Sequence, residues 1–460
     1  MTSMFLKYAV AVCLLITVPS FAQQLKRVAN KGISVEKLTE ARQKELGITE
    51  TRGVYIKKII PGFTAEALNV KEKDILIRIN NTAIESVDDV LQPSLKLREG
   101  DDVSFTVIRE KKEKTLKGKA IANPKEDAGD LSIEYGSFPF MGGQISSIFL
   151  QPATPGKKPA ILFIPGLNCM SLDNMWEEHV YRKLVYSLAN KGYLVMRAEK
   201  PGMGDSYNTP ACEDIDFPTE VNSFREALKA LKKHPNVDTN NIIVIGHSMG
   251  AMEAPFVAEG NNVRGIVAMG LTVKPWLEYL TEMVRIQNPR LGIDYLQNER
   301  DLKLYETLLF ELLVNKKNLA DIVPQNPEYE RILRRDMNYE GTESFLGRDL
   351  SFSQTLNDQD IAAAWAKTDC KVLSAWGETD IQVLGDFSHK EVVKLINTYH
   401  PGNATFLELT DTDHNFLLIP TMEESYQRNA DGSLGSLFPT RFNEKMVEEF
   451  HQWIQSVIVK

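Results

Sequence analysis

The stretch Ile242-Ile243-Val244-Ile245-Gly246-His247-Ser248-Met249-Gly250-Ala251 decides the fold of this 460-residue chain. Its four consecutive β-branched residues predict a buried strand, and the residues from Ala251 onward favour a helix. Glycines on both sides of Ser248 let the strand and the helix approach closely across a strained turn. Ser248 then stands exposed at a helix N-terminus, whose dipole favours developing negative charge. We therefore predict a nucleophilic serine; the alternative is a serine that only caps the helix.

A serine hydroxyl is a poor nucleophile unless a base takes its proton, and a carboxylate usually orients that base. An acid just beyond the end of a strand suits the orienting role. Asp380 lies in this position after the predicted strand 371–375, and Glu378 is the alternative acid.

The base is expected in a loop after a later strand. His414 follows the predicted strand 406–409, and His389 is its competitor. His247 lies inside the turn that carries Ser248 and cannot fold back to serve as its base. The sequence therefore predicts a set of Ser248, Asp380 and His414.

Strands and helices alternate along residues 131–460, which predicts a doubly wound α/β sheet. An opening hairpin is expected over 131–135 and 145–150, followed by a helix over 176–190. The predicted core strands are 160–164, 193–198, 242–245, 265–269, 371–375 and 406–409. Residues 271–368 interrupt this alternation with amphipathic helices, so we expect a helical cap over the carboxyl ends of the strands.

Residues 24–122 form a separate small α+β unit, followed by a polar linker. A glycine strand at 53–60 is followed by Pro61-Gly62, an Asp-Ile strand at 74–79 and an arginine-ended strand at 103–109. This order resembles the PDZ domains of bacterial periplasmic proteases, except that Lys73 stands where those domains usually have glycine. The resemblance implies a C-terminal peptide bound as an added strand, with Gly53, Val54 and Tyr55 at its carboxylate. The alternative is a PDZ unit that only packs on the larger domain.

Residues 131–460 resemble the α/β-hydrolase fold, most of all its bacterial esterase and lysophospholipase-like branch with a lid. The resemblance implies acyl transfer to Ser248, with an oxyanion hole formed by the backbone N–H groups of Met249 and Leu167. Proline precedes Gly166 in the second oxyanion loop, where the family commonly has histidine. This chemistry requires no metal or organic cofactor, and we expect none.

Residues 1–22 combine Lys7, a short apolar run and small residues before Gln23, which is typical of a cleaved signal peptide. The apolar run is too short to span a membrane. We therefore expect a periplasmic or secreted protein with no stable membrane span. In an oxidising compartment, Cys169 and Cys212 are the pair to test for a disulfide, and two reduced buried cysteines are the alternative.

The formal net charge of −9 argues against nucleic-acid binding, which needs a basic surface. The leading hypothesis is cleavage of a small ester or acyl substrate. A serine peptidase or aminopeptidase of the same fold is the first alternative, and an inactive PDZ-bearing interaction scaffold is the second. An aminopeptidase would need acids in the cap to bind the substrate's ammonium group. The acidic residues available there are Glu278, Glu282, Glu299 and Asp301.

Overall fold

The structure, a computed structural model, describes residues 25–49, 51–87, 89–90 and 97–459. The predicted signal peptide 1–22 lies outside the described residues, as does most of 87–97, an amphipathic stretch for which the sequence also predicts a helix. No helix in the described ranges is long and apolar enough to cross a membrane.

The amino-terminal unit is built on a six-stranded sheet with the order β1-β2-β3-β5-β6, in which β4 pairs with β3. The strands are β1 Ile33–Lys37, β2 Val54–Ile59, β3 Ile75–Ile79, β4 Thr82–Ala83, β5 Asp102–Arg109 and β6 Lys112–Lys119, and the helices are α1 Glu40–Leu46 and α2 Thr64–Ala67. The end of β5 is fixed because Arg109 Nη2 forms a 2.6 Å ion pair with Asp74. Lys73 adopts a φ of 71°, so it takes the left-handed conformation that the usual glycine would favour.

The large domain contains an eight-stranded sheet with the order β16-β15-β12-β11-β9-β10-β8-β7. Its strands are β7 Leu131–Phe140, β8 Gly143–Pro152, β9 Lys158–Ile164, β10 Leu194–Ala198, β11 Val237–His247, β12 Gly265–Met269, β15 Lys371–Gly377 and β16 Ala404–Leu409. Six strands of this sheet run parallel to one another, namely β9, β10, β11, β12, β15 and β16. At one edge, β8 pairs antiparallel with β10, and β7 pairs antiparallel with β8. The predicted doubly wound α/β sheet is confirmed.

Helices cover both faces of this sheet. They are α3 Val180–Asn190, α4 Phe217–Lys233, α5 Met249–Ala258, α12 Phe387–Tyr399 and α15 Glu444–Val457. Two further helices, α13 Met422–Ala430 and α14 Phe438–Arg441, lie between β16 and α15 in the chain. Side chains of β9 alternate between two cores: Leu162 and Ile164 pack with one, and Ile161 and Phe163 with the other. This period of two explains why the strand is apolar throughout. The helix predicted over 176–190 begins only at Val180, because His179 is its N-cap.

The insertion between β12 and β15 is a mostly helical cap. It consists of α6 Trp276–Arg290, α7 Tyr295–Leu309 with a π-helical continuation Phe310–Val314, α8 Leu319–Ile322, α9 Pro327–Asp336, a short hairpin of β13 Ser344–Phe345 and β14 Arg348–Asp349, α10 Leu350–Asn357 and α11 Ile361–Ala366. Buried Asp301 ties α7 to α9 through Arg331 and Arg335, at 2.6 and 2.8 Å.

The amino-terminal unit docks on the loop after β10. Buried Arg27 pairs with Asp205 at 3.0 Å and with Asp173 at 2.7 Å. Arg98 donates to the backbone carbonyls of Asp205 and Ser206. The two units are therefore joined by charged hydrogen bonds in addition to the linker.

Candidate active site

The turn that carries Ser248 has the predicted strand-turn-helix setting, between β11 and α5. Ser248 has φ 55° and ψ −121°, a strained conformation for a residue with a side chain. A methyl group on Gly246 would overlap the Gly250 carbonyl, and one on Gly250 would overlap the Ile164 carbonyl. The two glycines therefore let the strand, the turn and the helix approach closely enough to present Ser248.

Asp380 and His414 form a hydrogen-bonded pair beside this turn. His414 Nδ1 lies 2.8 Å from Asp380 Oδ2, and the other carboxylate oxygen accepts the N–H groups of Gln382 and Val383. Burial opposes the charge on Asp380, but His414 and these N–H donors hold its pKa below the ordinary value. Glu378 is exposed and accepts from the Asp411 N–H instead.

The Asp380–His414 pair gives His414 the pKa and the ring tautomer that a general base needs. Burial by itself would lower the pKa of His414, but the facing Asp380 carboxylate outweighs it and the pKa lies above the ordinary value. With Nδ1–H donated to Asp380, Nε2 of the neutral ring is left as the acceptor. Burial also raises the pKa of the neighbouring Asp413 to about 6, and its carboxylate fixes the His414 turn by accepting the Asn415 and Leu417 N–H groups.

His389, the competing base, serves another purpose. It is fully buried, and burial lowers its pKa to about 3. Its Nε2 accepts the Leu271 N–H, so Nδ1 carries the proton and donates to Ser374 Oγ. One ring nitrogen therefore holds the loop after β12 and the other binds β15, so both are engaged.

Ser248 and His414 line one cavity of about 380 Å³, within the usual size range of small-ligand sites. No hydrogen bond joins the Ser248 hydroxyl to His414 in the described part of the chain. Catalytic hydrogen bonds are often long without substrate and shorten in the complex. Ser248 and His414 thus face the same cavity, and the hydrogen-bonded chain from Asp380 ends at His414.

The backbone around Ser248 offers two N–H groups for an oxyanion. Met249 is the first residue of α5, so its N–H has no acceptor within the helix. The Leu167 N–H has no acceptor among the described residues either. In contrast, the Gly166 N–H donates to Tyr181 Oη at 3.2 Å. This engagement leaves Leu167 as the donor on that loop.

A buried chain of hydrogen bonds connects the loop of Gly166 and Leu167, which we call the oxyanion loop, to the loop of His414. The sequence analysis did not predict this chain. Burial lowers the pKa of His247 to about 3, so its ring is neutral. His247 Nε2 donates to the His414 carbonyl at 2.8 Å, and its Nδ1 accepts the Tyr181 hydroxyl at 2.7 Å. His247 therefore holds the loop that carries His414. The position of His247 next to Ser248 could have indicated a role at the site. Its partner Tyr181 lies 66 residues away, and no local sequence pattern around Tyr181 indicates the contact.

The walls of the cavity are neutral. Apolar side chains come from the cap and from α5, among them Met252, Trp276, Leu280, Met283 and Leu346. The amide side chains at its rim are Asn168, Asn338, Gln382, Asn415 and Asn429. Among its described lining residues none is Asp, Glu, Lys or Arg. A larger cavity of about 1000 Å³ lies at the opposite ends of the strands, beside Arg264 and Lys371, and is remote from Ser248.

Cys169 and Cys212 are joined by a disulfide with Cα atoms 5.8 Å apart. The bond ties the loop after β9 to the loop before α4, next to the cavity. Cys370 is free, and burial raises the pKa of its thiol to about 12, so it stays protonated.

The peptide site expected at Gly53, Val54 and Tyr55 does not fit the sheet. Val54 and Tyr55 pair with β1 on one edge and with β3 on the other. A peptide cannot be added to a strand whose two edges are occupied, so the expectation is wrong for this strand. The residues of β1 were not predicted as a strand, which is why the occupied edge was missed.

The described residues contain no cluster of three or more potential metal ligands.

Two family models match the chain. Residues 32–119 match the PDZ domain, and residues 159–381 match the alpha/beta hydrolase fold. The chain therefore carries an α/β-hydrolase domain preceded by a PDZ domain. The hydrolase match includes Ser248 and Asp380 and ends before His414.

Similar proteins include hydrolases. The chain is 25% identical over 135 residues to Esterase EstD of Thermotoga maritima, a stretch of 29% of this chain and 32% of that protein. It is 35% identical over 66 residues to Serine protease Do-like HtrB of Bacillus subtilis, which is 14% of each chain. The aligned stretches thus span a third or less of these relatives. The structure of Est1E from Butyrivibrio proteoclasticus with ferulic acid bound is similar with a TM-score of 0.41 and 15% identity, over 66% of this chain and 99% of that one.

Proposed function

We propose that this protein is an exported serine hydrolase that cleaves carboxylic esters through an acyl-enzyme on Ser248. The observation that carries the proposal is the His414–Asp380 pair, hydrogen bonded at 2.8 Å in the cavity that Ser248 also lines. A strained serine, a base with a free Nε2 and a buried carboxylate are the three parts that acyl transfer needs. The named similarity to Esterase EstD supports an ester as the substrate.

The proposed reaction has two halves. Ser248 Oγ attacks the ester carbonyl carbon while His414 Nε2 takes its proton, and the N–H groups of Met249 and Leu167 stabilise the oxyanion. The C–O bond then breaks, and His414 returns the proton to the departing alcohol. Water attacks the acyl-enzyme by the same route and releases the acid. Asp380 remains ionised throughout and stabilises the imidazolium.

The cavity favours an uncharged substrate with both apolar and hydrogen-bonding parts. A buried charge without a partner is costly, so a charged substrate needs an opposing side chain. The lining supplies neutral amides at the rim and apolar walls from the cap instead. We therefore propose esters of neutral alcohols with acyl groups small enough for about 380 Å³.

The geometry disfavours the aminopeptidase alternative. Glu282 is paired with Lys274, Glu299 with Arg285, and Asp301 with Arg331 and Arg335. Glu278 is exposed, and none of the four acids lines the cavity. An ammonium group in the cavity would therefore meet no carboxylate among the described residues that line it.

Export is supported by the sequence of residues 1–22 and by the Cys169–Cys212 disulfide, because such bonds persist in oxidising compartments. Fractionation of cells that express the full chain tests this part. Periplasmic or extracellular protein shortened by about 22 residues is expected, whereas full-length cytoplasmic protein would refute export.

The activity is tested with p-nitrophenyl esters and aminoacyl-p-nitroanilides, using the wild type and Ser248→Ala. Ester turnover that is lost in Ser248→Ala is the expected result. Anilide turnover alone would establish the peptidase alternative. The absence of both activities in folded wild-type protein would favour the interaction scaffold.

A further inference from the structure

Three fully buried charged side chains lie behind the oxyanion loop, and they come from three separate parts of the chain. Lys200 follows β10, Glu220 belongs to the first turns of α4, and Arg348 belongs to the cap hairpin. Each is at most 2% exposed. Burying a charge costs desolvation free energy, which only well-placed ion pairs and hydrogen bonds offset. The contacts of these three side chains therefore indicate what they hold in place.

Lys200 and Arg348 both bind carbonyl groups of the oxyanion loop. Lys200 Nζ donates to the Gly166 carbonyl at 2.7 Å and to the Leu167 carbonyl at 3.1 Å. Arg348 Nη1 also donates to the Leu167 carbonyl at 3.1 Å. Glu220 bridges the two cations, at 2.8 Å from Lys200 Nζ and 2.7 Å from Arg348 Nη2.

The direction of these bonds bears on the oxyanion hole. In a planar trans peptide the C=O of one residue and the N–H of the next point in opposite directions. Because Lys200 holds the Gly166 carbonyl from behind, the Leu167 N–H points away from Lys200. Gly166 and Leu167 line the cavity, whereas Lys200 and Arg348 do not, so the cations lie on the other side of the loop.

We propose that Lys200 and Arg348, bridged by Glu220, are positioning residues that aim the Leu167 N–H at the oxyanion, and that Arg348 makes this orientation depend on the cap. The inference rests on the proposed function. Through Arg348, the cap would affect the rate of the chemical step in addition to holding the substrate, which the proposed function does not include. The cap hairpin joins both roles, since Leu346 lines the cavity two residues before Arg348.

A fourth buried group fits this arrangement. Glu253 on α5 is fully buried, and burial together with the nearby Glu220 raises its pKa well above the ordinary value. This shift favours the protonated, uncharged form of Glu253, in which the two cations face the single carboxylate of Glu220. Positive charge behind the loop has the sign that favours an oxyanion in front of it.

The test compares Arg348→Lys with the wild type on a p-nitrophenyl ester, with the fraction of competent sites counted from the burst of p-nitrophenol. Lysine keeps the charge, but it lacks the planar fork that reaches Glu220 and the Leu167 carbonyl together. We expect kcat per competent site to fall roughly 10- to 100-fold, with KM changed less than about 3-fold. Affinity for a trifluoromethyl ketone should fall by the same factor as kcat/KM, because its adduct with serine carries an oxyanion.

Arg331→Lys is the matched control, since Arg331 is a cap arginine paired with Asp301 and lies outside the cavity. It should leave kcat and ketone affinity within about 2-fold. Lys200→Arg is a second variant with the same expectation as Arg348→Lys. Ester turnover that depends on Ser248 but is unchanged in both Arg348→Lys and Lys200→Arg would overturn this inference alone. Turnover that survives Ser248→Ala would overturn the proposed function and this inference with it.

Discussion

At the scale of single residues, the proposed chemistry depends on the charge states that burial and neighbours impose. Asp380 is ionised although it is fully buried, because His414 and two backbone N–H groups face it. His247 and His389 are buried as well, but their hydrogen-bond partners are not carboxylates, and burial lowers the pKa of each to about 3, so both remain neutral. One carboxylate thus distinguishes the base from two structural histidines a few ångströms away.

The pH dependence of the reaction follows from His414. Its neutral form is the proposed base, and Asp380 raises its pKa above the ordinary value of about 6.5. We therefore expect kcat/KM to rise with pH, with a midpoint above about 6.5. Removal of the carboxylate in Asp380→Asn should lower the midpoint and reduce kcat/KM by on the order of 10³- to 10⁴-fold.

Glu378→Gln is the control for this profile, because Glu378 is the exposed alternative acid. It should leave both the midpoint and the rate close to wild type. A loss of rate in Glu378→Gln together with an unchanged rate in Asp380→Asn would reverse the assignment of the acid.

At the scale of elements, the turn between β11 and α5 depends on space as much as on chemistry. Gly246→Ala would push a methyl group into the Gly250 carbonyl, and backbone cannot yield as a side chain can. We expect the free energy of unfolding in urea to fall by about 2–5 kcal/mol. Gly435→Ala is the matched control, because nothing lies within 4 Å of its added methyl. Equal stability of the two variants would contradict the close approach of strand and helix.

The disulfide acts at the same scale by closing a loop of 43 residues. Replacing both Cys169 and Cys212 by serine should lower the free energy of unfolding by about 2–4 kcal/mol. Urea titration measures this change, and reduction of the wild type should reproduce it. A variant as stable as the oxidised wild type would contradict a stabilising bond.

The elements near Ser248 were predictable because each signal there is local. Strand periodicity, the two glycines and the positions of Asp380 and His414 after strands are all visible in short windows. The network of Tyr181, His247 and the His414 carbonyl joins parts that are remote in sequence, as does the contact of Arg348 with Leu167. Nothing in a short window signals such partners, so they emerged only from the fold.

At the scale of the whole molecule, the PDZ domain and the hydrolase domain meet at the loop after β10. The loop begins with Lys200, which contacts the oxyanion loop, and it reaches Asp205, which binds Arg27 and the Val28 N–H. In the sequence this loop is visible only as the glycine-rich segment Lys200-Pro201-Gly202-Met203-Gly204. The partners of Asp205 in the amino-terminal unit, Arg27 and the Val28 N–H, lie 178 and 177 residues away in sequence.

The docking contact should stabilise the full chain. Asp205→Asn leaves buried Arg27 with one carboxylate fewer, and we expect a loss of about 3 kcal/mol in the free energy of unfolding. Lys26→Gln is the control, because the Lys26–Asp101 pair is exposed and 3.7 Å long, and it should change stability by less than about 1 kcal/mol. Stability unchanged by Asp205→Asn would contradict a stabilising Arg27–Asp205 pair.

The central claim is that Ser248 is the nucleophile, and covalent labelling tests it most directly. The full chain is treated with a fluorophosphonate, which phosphonylates activated serines, and its mass and labelled peptide are measured. We expect one adduct, located on Ser248, with loss of ester turnover in proportion to labelling. Ser248→Ala should remain unlabelled, and His414→Ala should be labelled far more slowly. An adduct on another residue that accompanies the loss of turnover, or undiminished turnover after Ser248 is fully labelled, would contradict the claim.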